Sequence, residues 1–173
     1  ESRTARILIA GQAPGTRVHA SGRPFTDPSG DRLRDWMGIG EDIFYDSANI
    51  AIAPMGFCFP GLDAKGADLP PRPECAKAWR APLLAAMPQI TLLLAVGAYA
   101  QRWHLPDSTS VTENVRNWRT GLDKTPTHFA LPHPSWRNTS WLKANPWFAA
   151  ELLPALRRAV RQALAEPPSD TGR

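Results

Sequence analysis

Two short loops carry the residue types best suited to chemistry in this chain. Residues 131–138 place His133 between Pro132 and Pro134, directly before Ser135. Residues 11–15 read Gly-Gln-Ala-Pro-Gly. Each loop follows a run of apolar residues typical of a strand, so the two loops can meet at one edge of a parallel sheet. In α/β proteins that edge is where ligands bind and react.

Two familiar chemistries fit these loops poorly. A serine hydrolase would pair Ser135 with His133, but the intervening Pro134 makes their mutual hydrogen bond awkward, and the chain has no Gly-x-Ser-x-Gly elbow. A phosphate-cradling nucleotide enzyme would need Gly-Lys-Ser or Gly-Lys-Thr after the first loop, and the chain lacks it. Both remain remote alternatives.

Hydrophobic patterning predicts the elements that position the loops. Short apolar runs alternate with amphipathic patterns, which predicts strands joined by crossover helices. We expect strands over 6–10, 48–53, 90–97 and 127–131, and helices over 29–38, 74–87, 98–105 and 146–164, the last interrupted at Pro154. The continuous apolar run 90–97 is typical of a central strand buried on both faces. The predicted fold class is α/β, a three-layer α/β/α sandwich with a central four-stranded parallel sheet.

Composition limits the class of protein further. A chain of 173 residues with 43% hydrophobic residues can bury one substantial core, which predicts a single domain over 1–165 and a disordered tail over 166–173. No run of 18 apolar residues occurs, so we expect no membrane span and a soluble, cytoplasmic protein. Nothing in the chain demands more than a monomer. The formal net charge of +4 permits a polyanionic partner.

One segment stands apart from this alternation. Residues 54–73 are rich in Gly and Pro and are too long for a tight turn. Structureless connections of this length are uncommon in compact domains and are usually functional loops. We therefore expect this long loop to be a functional excursion from the sheet.

Six segments, taken in order, resemble a known family. They are residues 11–15, 22–25, 29–33, the strand ending at 49–50, residues 94–97 and residues 133–138. Together they are similar to the uracil-DNA glycosylase superfamily, and most of all to its bacterial and archaeal family 4 and 5 branches with Gly-x-Ala-Pro-Gly loops. The resemblance implies a monofunctional DNA glycosylase of base-excision repair. Such an enzyme flips uracil out of DNA and hydrolyses its N-glycosidic bond, leaving an abasic site.

The resemblance also assigns the central residues. Cleavage of the glycosidic bond builds positive charge on the sugar and negative charge on the departing base. His133 is similar to the family's donor to uracil O2. Asn49, expected at the end of the second strand, is similar to the amide that accepts from uracil N3 and donates to O4, a pattern that cytosine does not match. The alternatives are a loop-anchoring His133 and a turn Asn49.

The loop after His133 implies contacts with DNA. Arg137, with Trp136 beside it, stands at the family's wedge position. We expect Arg137 to enter the minor groove and fill the gap left by the flipped base. Ser135, Asn138 and nearby backbone amides would grip phosphates. An exposed Arg137 without a partner is the alternative.

The base pocket departs from the family pattern at one position. Phe25 resembles the aromatic that stacks on the flipped base, with a core aromatic as the alternative, and Gly11 and Ala13 belong to the same pocket. Gly15 stands where the strictest uracil enzymes carry an aromatic that blocks the thymine methyl group. We therefore expect a broader base range, including hypoxanthine, xanthine or hydroxymethyluracil.

The residue that activates water is a second departure. Some branches carry Asp or Asn in the first loop to position the hydrolytic water, and Ala13 has no polar group. Gln12 can orient a water molecule but does not take its proton. Asp27 and His19, close in sequence to the loop, are the candidate bases.

Cysteine usage bears on a cofactor of the similar branches. Cys58 and Cys75, the two cysteines of the chain, resemble the third and fourth ligands of their iron-sulfur cluster. Such a cluster needs four thiolates. We expect no cofactor and two buried, reduced thiols, unless a cysteine pair upstream of this chain completes the set.

An alternative function within the same fold stays open. The chain could be a non-catalytic or covalent uracil-DNA binding protein that holds the lesion without turnover, which Ala13 would favour. Bond cleavage with product release distinguishes the two.

Overall fold

Four strands form the centre of the protein. The structure is a computed structural model that describes residues 3–105 and 107–165, and of Arg17 the backbone alone. The strands are β1 (Ile7–Ala10), β2 (Ile50–Ile52), β3 (Leu92–Val96) and β4 (Thr127–Leu131). They form one four-stranded sheet in the order β2-β1-β3-β4, and each neighbouring pair is parallel. The predicted α/β class and the central, fully buried position of β3 are confirmed.

Helices surround this sheet. In chain order the described α-helices are α1 (Thr16–Ser21), α2 (Pro28–Met37), α3 (Glu41–Phe44), α4 (Pro73–Ala85), α5 (Gly97–His104), α6 (Val111–Arg116), α7 (Thr139–Ala144) and α8 (Leu153–Ala165). Short 3-10 turns cover Trp118–Gly121 and Trp136–Asn138, and a π-helical turn at Phe148–Leu152 leads into α8. This turn is the interruption expected near Pro154, which lies in the first turn of α8, where a missing N–H is tolerated. The predicted tail over 166–173 lies outside the described residues.

Each face of the sheet packs on its own layer because side chains alternate along a strand. Ile7 and Ile9 face a core with residues of α2 and α8, such as Leu33 and Leu156. Leu8 points the other way, into a core with residues of α4 and α5. The middle layer is thus closed on both sides, which leaves the ends of the strands as the places where loops can form a site.

A buried arginine ties the long loop to this framework. Arg80 of α4 is 1% exposed, and its Nη1 atom donates to the carbonyl of Ala53 at 2.7 Å, where β2 ends. Its Nε atom donates to Nε2 of His104 at 3.1 Å. Burial lowers the pKa of Arg80 to about 10, so the group stays charged at neutral pH. Burial and the Arg80 charge lower the pKa of His104 to about 3, so this imidazole is a neutral acceptor.

The long loop itself folds back toward the sheet. Leu62 and Asp68 form an isolated antiparallel bridge, and the N–H of Leu69 donates to the carbonyl of Gly61 at 2.9 Å. A Cβ atom on Gly56 would lie 3.1 Å from Pro71, so the two ends of the loop are in close contact. Residues 61–69 therefore form a small hairpin against the sheet edge. Among residues 3–105 and 107–165, no helix is long and apolar enough to cross a membrane.

Candidate active site

The loops after β1, β3 and β4 meet at the carboxyl edge of the sheet. Val96 and Leu131 form the last pair between β3 and β4, so Gly97 and the His133 loop begin side by side. Gly97 has a φ of 81°, and a Cβ atom there would lie 3.8 Å from the Cβ of His133. This left-handed backbone lets α5 start directly at the strand end, beside His133.

His133 is held as a hydrogen-bond donor. Its Nδ1 atom accepts the backbone N–H of Ser135 at 3.2 Å. The neutral ring therefore carries its proton on Nε2, where it can donate to a bound molecule. Burial lowers the pKa of His133, the carboxylates of Asp27 and Asp68 oppose that effect, and Arg137 adds to it. The imidazole is thus neutral at pH 7.

Side chains from neighbouring elements fix the His133 loop. The Nδ2 atom of Asn138 donates to the carbonyl of His133 at 2.7 Å. Arg32 of α2 donates to the carbonyl of Ser135 at 3.0 Å and to the hydroxyl of Thr139 at 3.3 Å. The Asn138 amide, expected at a phosphate, thus anchors its own loop here.

Two large side chains project from this anchored loop. Trp136 is 76% exposed, and Arg137 is exposed beside it, with its guanidinium 6.0 Å from the centre of the Trp136 ring. A rigid loop that presents an indole and a guanidinium to solvent can insert between stacked groups or pair with phosphate.

Phe25 is clamped in a strained conformation at the first loop. Its φ is 58°, and its carbonyl accepts from the Tyr45 hydroxyl at 3.0 Å and from Nη1 of Arg34 at 3.2 Å. The ring packs edge-on against Phe44, and its tip would lie 3.7 Å from a Cβ atom on Gly11. Positive φ is rare for a bulky residue and is often found at functional sites. The half-buried Phe25 ring therefore lies where the first loop begins.

The first loop is joined to the chain that follows β2. The carbonyl of Gly11 accepts from Met55 N–H at 2.9 Å, and that of Gln12 from Gly56 N–H at 3.0 Å. The Ala13 methyl group faces Gly56, with 3.5 Å to a Cβ atom built there. The half-buried Gln12 amide makes no hydrogen bond with any residue that the structure describes. No charged group stands in this loop.

Two carboxylates act electrostatically on His133. Asp27 precedes α2, and its Oδ1 atom accepts the Ser29 hydroxyl at 2.6 Å. Asp68 arrives from the hairpin of the long loop, and its Oδ2 atom would lie 3.1 Å from a Cβ atom on Gly15. The charges of both raise the pKa of His133. His19 packs on Phe59 with 5.6 Å between ring centres and lies apart from this group.

The expected position of Asn49 was wrong. Strand β2 begins at Ile50, so Asn49 lies at the amino end of the strand and not at its carboxyl end. Its carbonyl accepts from Arg6 and Ile7, and its amide donates to Asp46 at 2.6 Å. Because all strands are parallel, Asn49 is at the edge opposite His133. From there its amide does not reach a base held at the carboxyl edge.

Asp68 and Arg32 are the residues of this site that sequence reasoning missed. The long loop was expected to be functional, but no spacing within it distinguished Asp68 from Asp63. Arg32 lay inside a recognised segment, yet its partner is more than 100 positions away. Both residues are brought to the site by contacts that are distant in sequence.

The cysteines do not complete an iron-sulfur site. Cys58 and Cys75 are free thiols, but the expectation that both are buried was wrong: Cys58 is exposed in the long loop, and Cys75 is half-buried at the start of α4. Within the described residues, no group of three or more His, Cys, Asp or Glu side chains is arranged to hold a metal ion. Two thiolates are half of the four that such a cluster needs, so the residues of this chain do not fit the cluster by themselves.

A comparison with protein families agrees with this arrangement. The family model described as the Uracil DNA glycosylase superfamily matches residues 1–157. The match spans the whole sheet, both loops and the start of α8.

Proposed function

The chain belongs to the Uracil DNA glycosylase superfamily, and from this we propose that it hydrolyses the bond between uracil and deoxyribose in DNA. The observation that carries the proposal is the neutral His133, fixed with its Nε2–H free at the carboxyl edge of the sheet. Oxygen O2 of the base gains negative charge as the bond breaks, and a preorganised donor stabilises it there. Its partners would be uracil-containing DNA and water, and no step needs a cofactor.

The base would enter the site after being flipped out of the helix. Phe25 provides an aromatic face beside the first loop. Trp136 is the better wedge of the two projecting residues because it offers a large apolar surface to the gap. We assign Arg137 to the adjacent phosphate or groove edge, whereas the sequence had favoured Arg137 as the wedge.

Asp68 is the proposed water-orienting carboxylate. Ala13 offers no polar group, and the Asp27 carboxylate already accepts the Ser29 hydroxyl. The exposed Asp68 carboxylate makes no hydrogen bond or ion pair with any described residue, although it lies against Gly15 and its charge raises the pKa of His133. A free carboxylate in a site for a polyanion opposes binding, so its presence favours a role in the reaction.

In the proposed reaction, water replaces the base on the sugar. The bond between the sugar C1′ atom and the base nitrogen breaks, and its electron pair leaves with the base. The water oxygen bonds to C1′, and Asp68 takes the water proton. The uracil anion takes up the proton that Asp68 then releases, so the products are free uracil and an abasic site, with the DNA strand intact. We also propose a range beyond uracil, because Gly15 puts no side chain in the space between the first loop and Asp68.

The experiment is excision from an end-labelled oligonucleotide that carries one uracil, followed by alkaline cleavage. We expect wild type to cut only after alkali, and His133→Ala to lose activity by roughly 100-fold or more, the scale of losing one preorganised donor. Asn49→Ala is the matched control because Asn49 lies at the opposite edge. We expect Asn49→Ala to stay near wild type.

Two outcomes would overturn the proposal. Retention of uracil-DNA without any excision would make the protein a lesion binder, the alternative that Ala13 leaves open. Full activity of His133→Ala would remove the donor from the mechanism.

A further inference from the structure

A cavity separate from the candidate active site lies on the α4–α5 side of the sheet. We propose that it binds an unpaired nucleotide that flanks the flipped base. Its volume is about 270 Å³, close to the lower limit for ligand pockets. The proposal rests on the proposed DNA substrate and adds where the strand runs beyond the scissile nucleotide. We call this cavity the flank pocket and define it by Arg72, Lys77, Tyr99, Arg102 and Trp103.

The chemistry of the flank pocket matches a nucleotide. Arg72, Lys77 and Arg102 are exposed at its rim, and none makes an ion pair with a residue that the structure describes. Trp103 is 44% exposed, and the half-buried Tyr99 ring has the Arg102 guanidinium 5.8 Å from its centre. Aromatic faces that stack on bases beside cations that meet phosphates are the common means of holding single strands.

The flank pocket is walled by elements that also hold the loops of the candidate active site. One wall is Met55, whose N–H donates to the carbonyl of Gly11 in the first loop at 2.9 Å. Another is Pro71, which contacts Gly56 beside Ala13. The α5 wall starts at Gly97, next to His133. All three walls are therefore joined to the loops that would hold the target nucleotide.

Distances favour a neighbouring nucleotide of the same strand. Tyr99 and Trp103 lie on the eight-residue helix α5 that starts at Gly97. At about 1.5 Å per residue, both are within roughly 10 Å of the helix start. Phosphates of one strand are ~3.4 Å apart along the axis of duplex DNA, and further apart in an extended single strand, so about three nucleotides at most separate the pocket from His133. A base inside a duplex is already stacked, so the occupant must be unpaired.

The test measures binding to a single-stranded oligonucleotide without uracil, by fluorescence anisotropy over a range of salt concentrations. Trp103→Ala should weaken binding by about 5- to 150-fold, the range for loss of one stacked base. Trp103→Phe should restore most of it. Arg102→Glu should reduce the salt slope by about 1 for the lost phosphate contact. The control is Arg161→Glu, the same charge change on α8 at the opposite face of the sheet.

Several results would overturn the assignment. Unchanged binding of Trp103→Ala would remove the stacking role. If Arg102→Glu and Arg161→Glu weaken binding equally, the effect comes from the overall charge of the protein and not from the flank pocket. Binding of thymidine monophosphate that depends on Arg102, with oligonucleotide binding unchanged in every variant, would make the pocket a site for a free nucleotide. The binding probe lacks uracil, so this test does not depend on excision. If the wild-type protein excises no uracil but the variants show these binding effects, only the proposed function is contradicted.

Discussion

Asp68→Asn tests the proposed source of the water-activating base. The substitution keeps the shape of the side chain and its contact with Gly15, and it removes the charge and the proton acceptor. General base catalysis contributes about 10²- to 10⁴-fold. We expect the lower end, about a 100-fold fall in kcat, because the sugar cation is reactive and Asp27 remains near His133.

The assay is single-turnover excision of uracil between pH 5 and 9. Asp68 raises the pKa of His133, so its removal lowers that pKa further. The neutral His133 ring is the donor, so the excision rate should fall at low pH as this ring becomes protonated. This acid limb of the pH–rate profile should move to lower pH in Asp68→Asn. Asp123→Asn, the same charge change on the turn before β4 at the opposite edge, should leave both rate and limb near wild type. If the acid limb shifts but the plateau excision rate is unchanged, Asp68 is not the base, and its role is purely electrostatic.

Two other predictions follow from single contacts. The pKa of His104 is about 3 in the folded state, against 6.5 in the unfolded chain. Protons therefore bind the unfolded chain more tightly. The free energy of unfolding is greatest above pH 6.5 and falls as the pH drops toward 3. The loss at pH 5 should be about 2 kcal/mol in urea unfolding. His104→Gln, which keeps an acceptor for Arg80, should flatten this dependence, and an equally steep curve would contradict it. Trp136→Ala should slow excision from duplex DNA tenfold or more but spare single-stranded substrate, where no stacked base must be extruded; equal losses on both would exclude the wedge.

The sheet and the two main loops could be predicted because they depend on local patterns. Strand β3 is a continuous apolar run, and its central place follows from burial on both faces. The meeting of the first loop with His133 needs only that the strands be parallel. Helices α1, α3, α6 and α7 were missed because four to six residues are too few to show an amphipathic period.

The position of Asn49 was predicted wrongly and Asp68 was missed, each for its own reason. The apolar run 48–53 already put Asn49 near the amino end of its strand, and only the family resemblance put it at the carboxyl end; the pairing of Ile7 with Ile50 shows that Asn49 precedes the strand. Asp68 depends on the bridge with Leu62 and on the contact of Pro71 with Gly56. Neither contact has a signal in the local sequence.

The two carboxylates limit how a substrate can lie in the site. A negative group stabilises positive charge on the sugar but opposes negative charge on the base. In the proposed reaction the Nε2–H of His133 must therefore face the base, and Asp27 and Asp68 must face the sugar. This division requires a neutral imidazole, since a protonated His133 would pair with one of the carboxylates and cancel the charge that the sugar needs. Both carboxylates raise the pKa of His133, and burial outweighs them. Burial thus keeps His133 neutral. Its Nε2–H can then stabilise the negative charge on the base, while the two carboxylates stabilise the positive charge on the sugar.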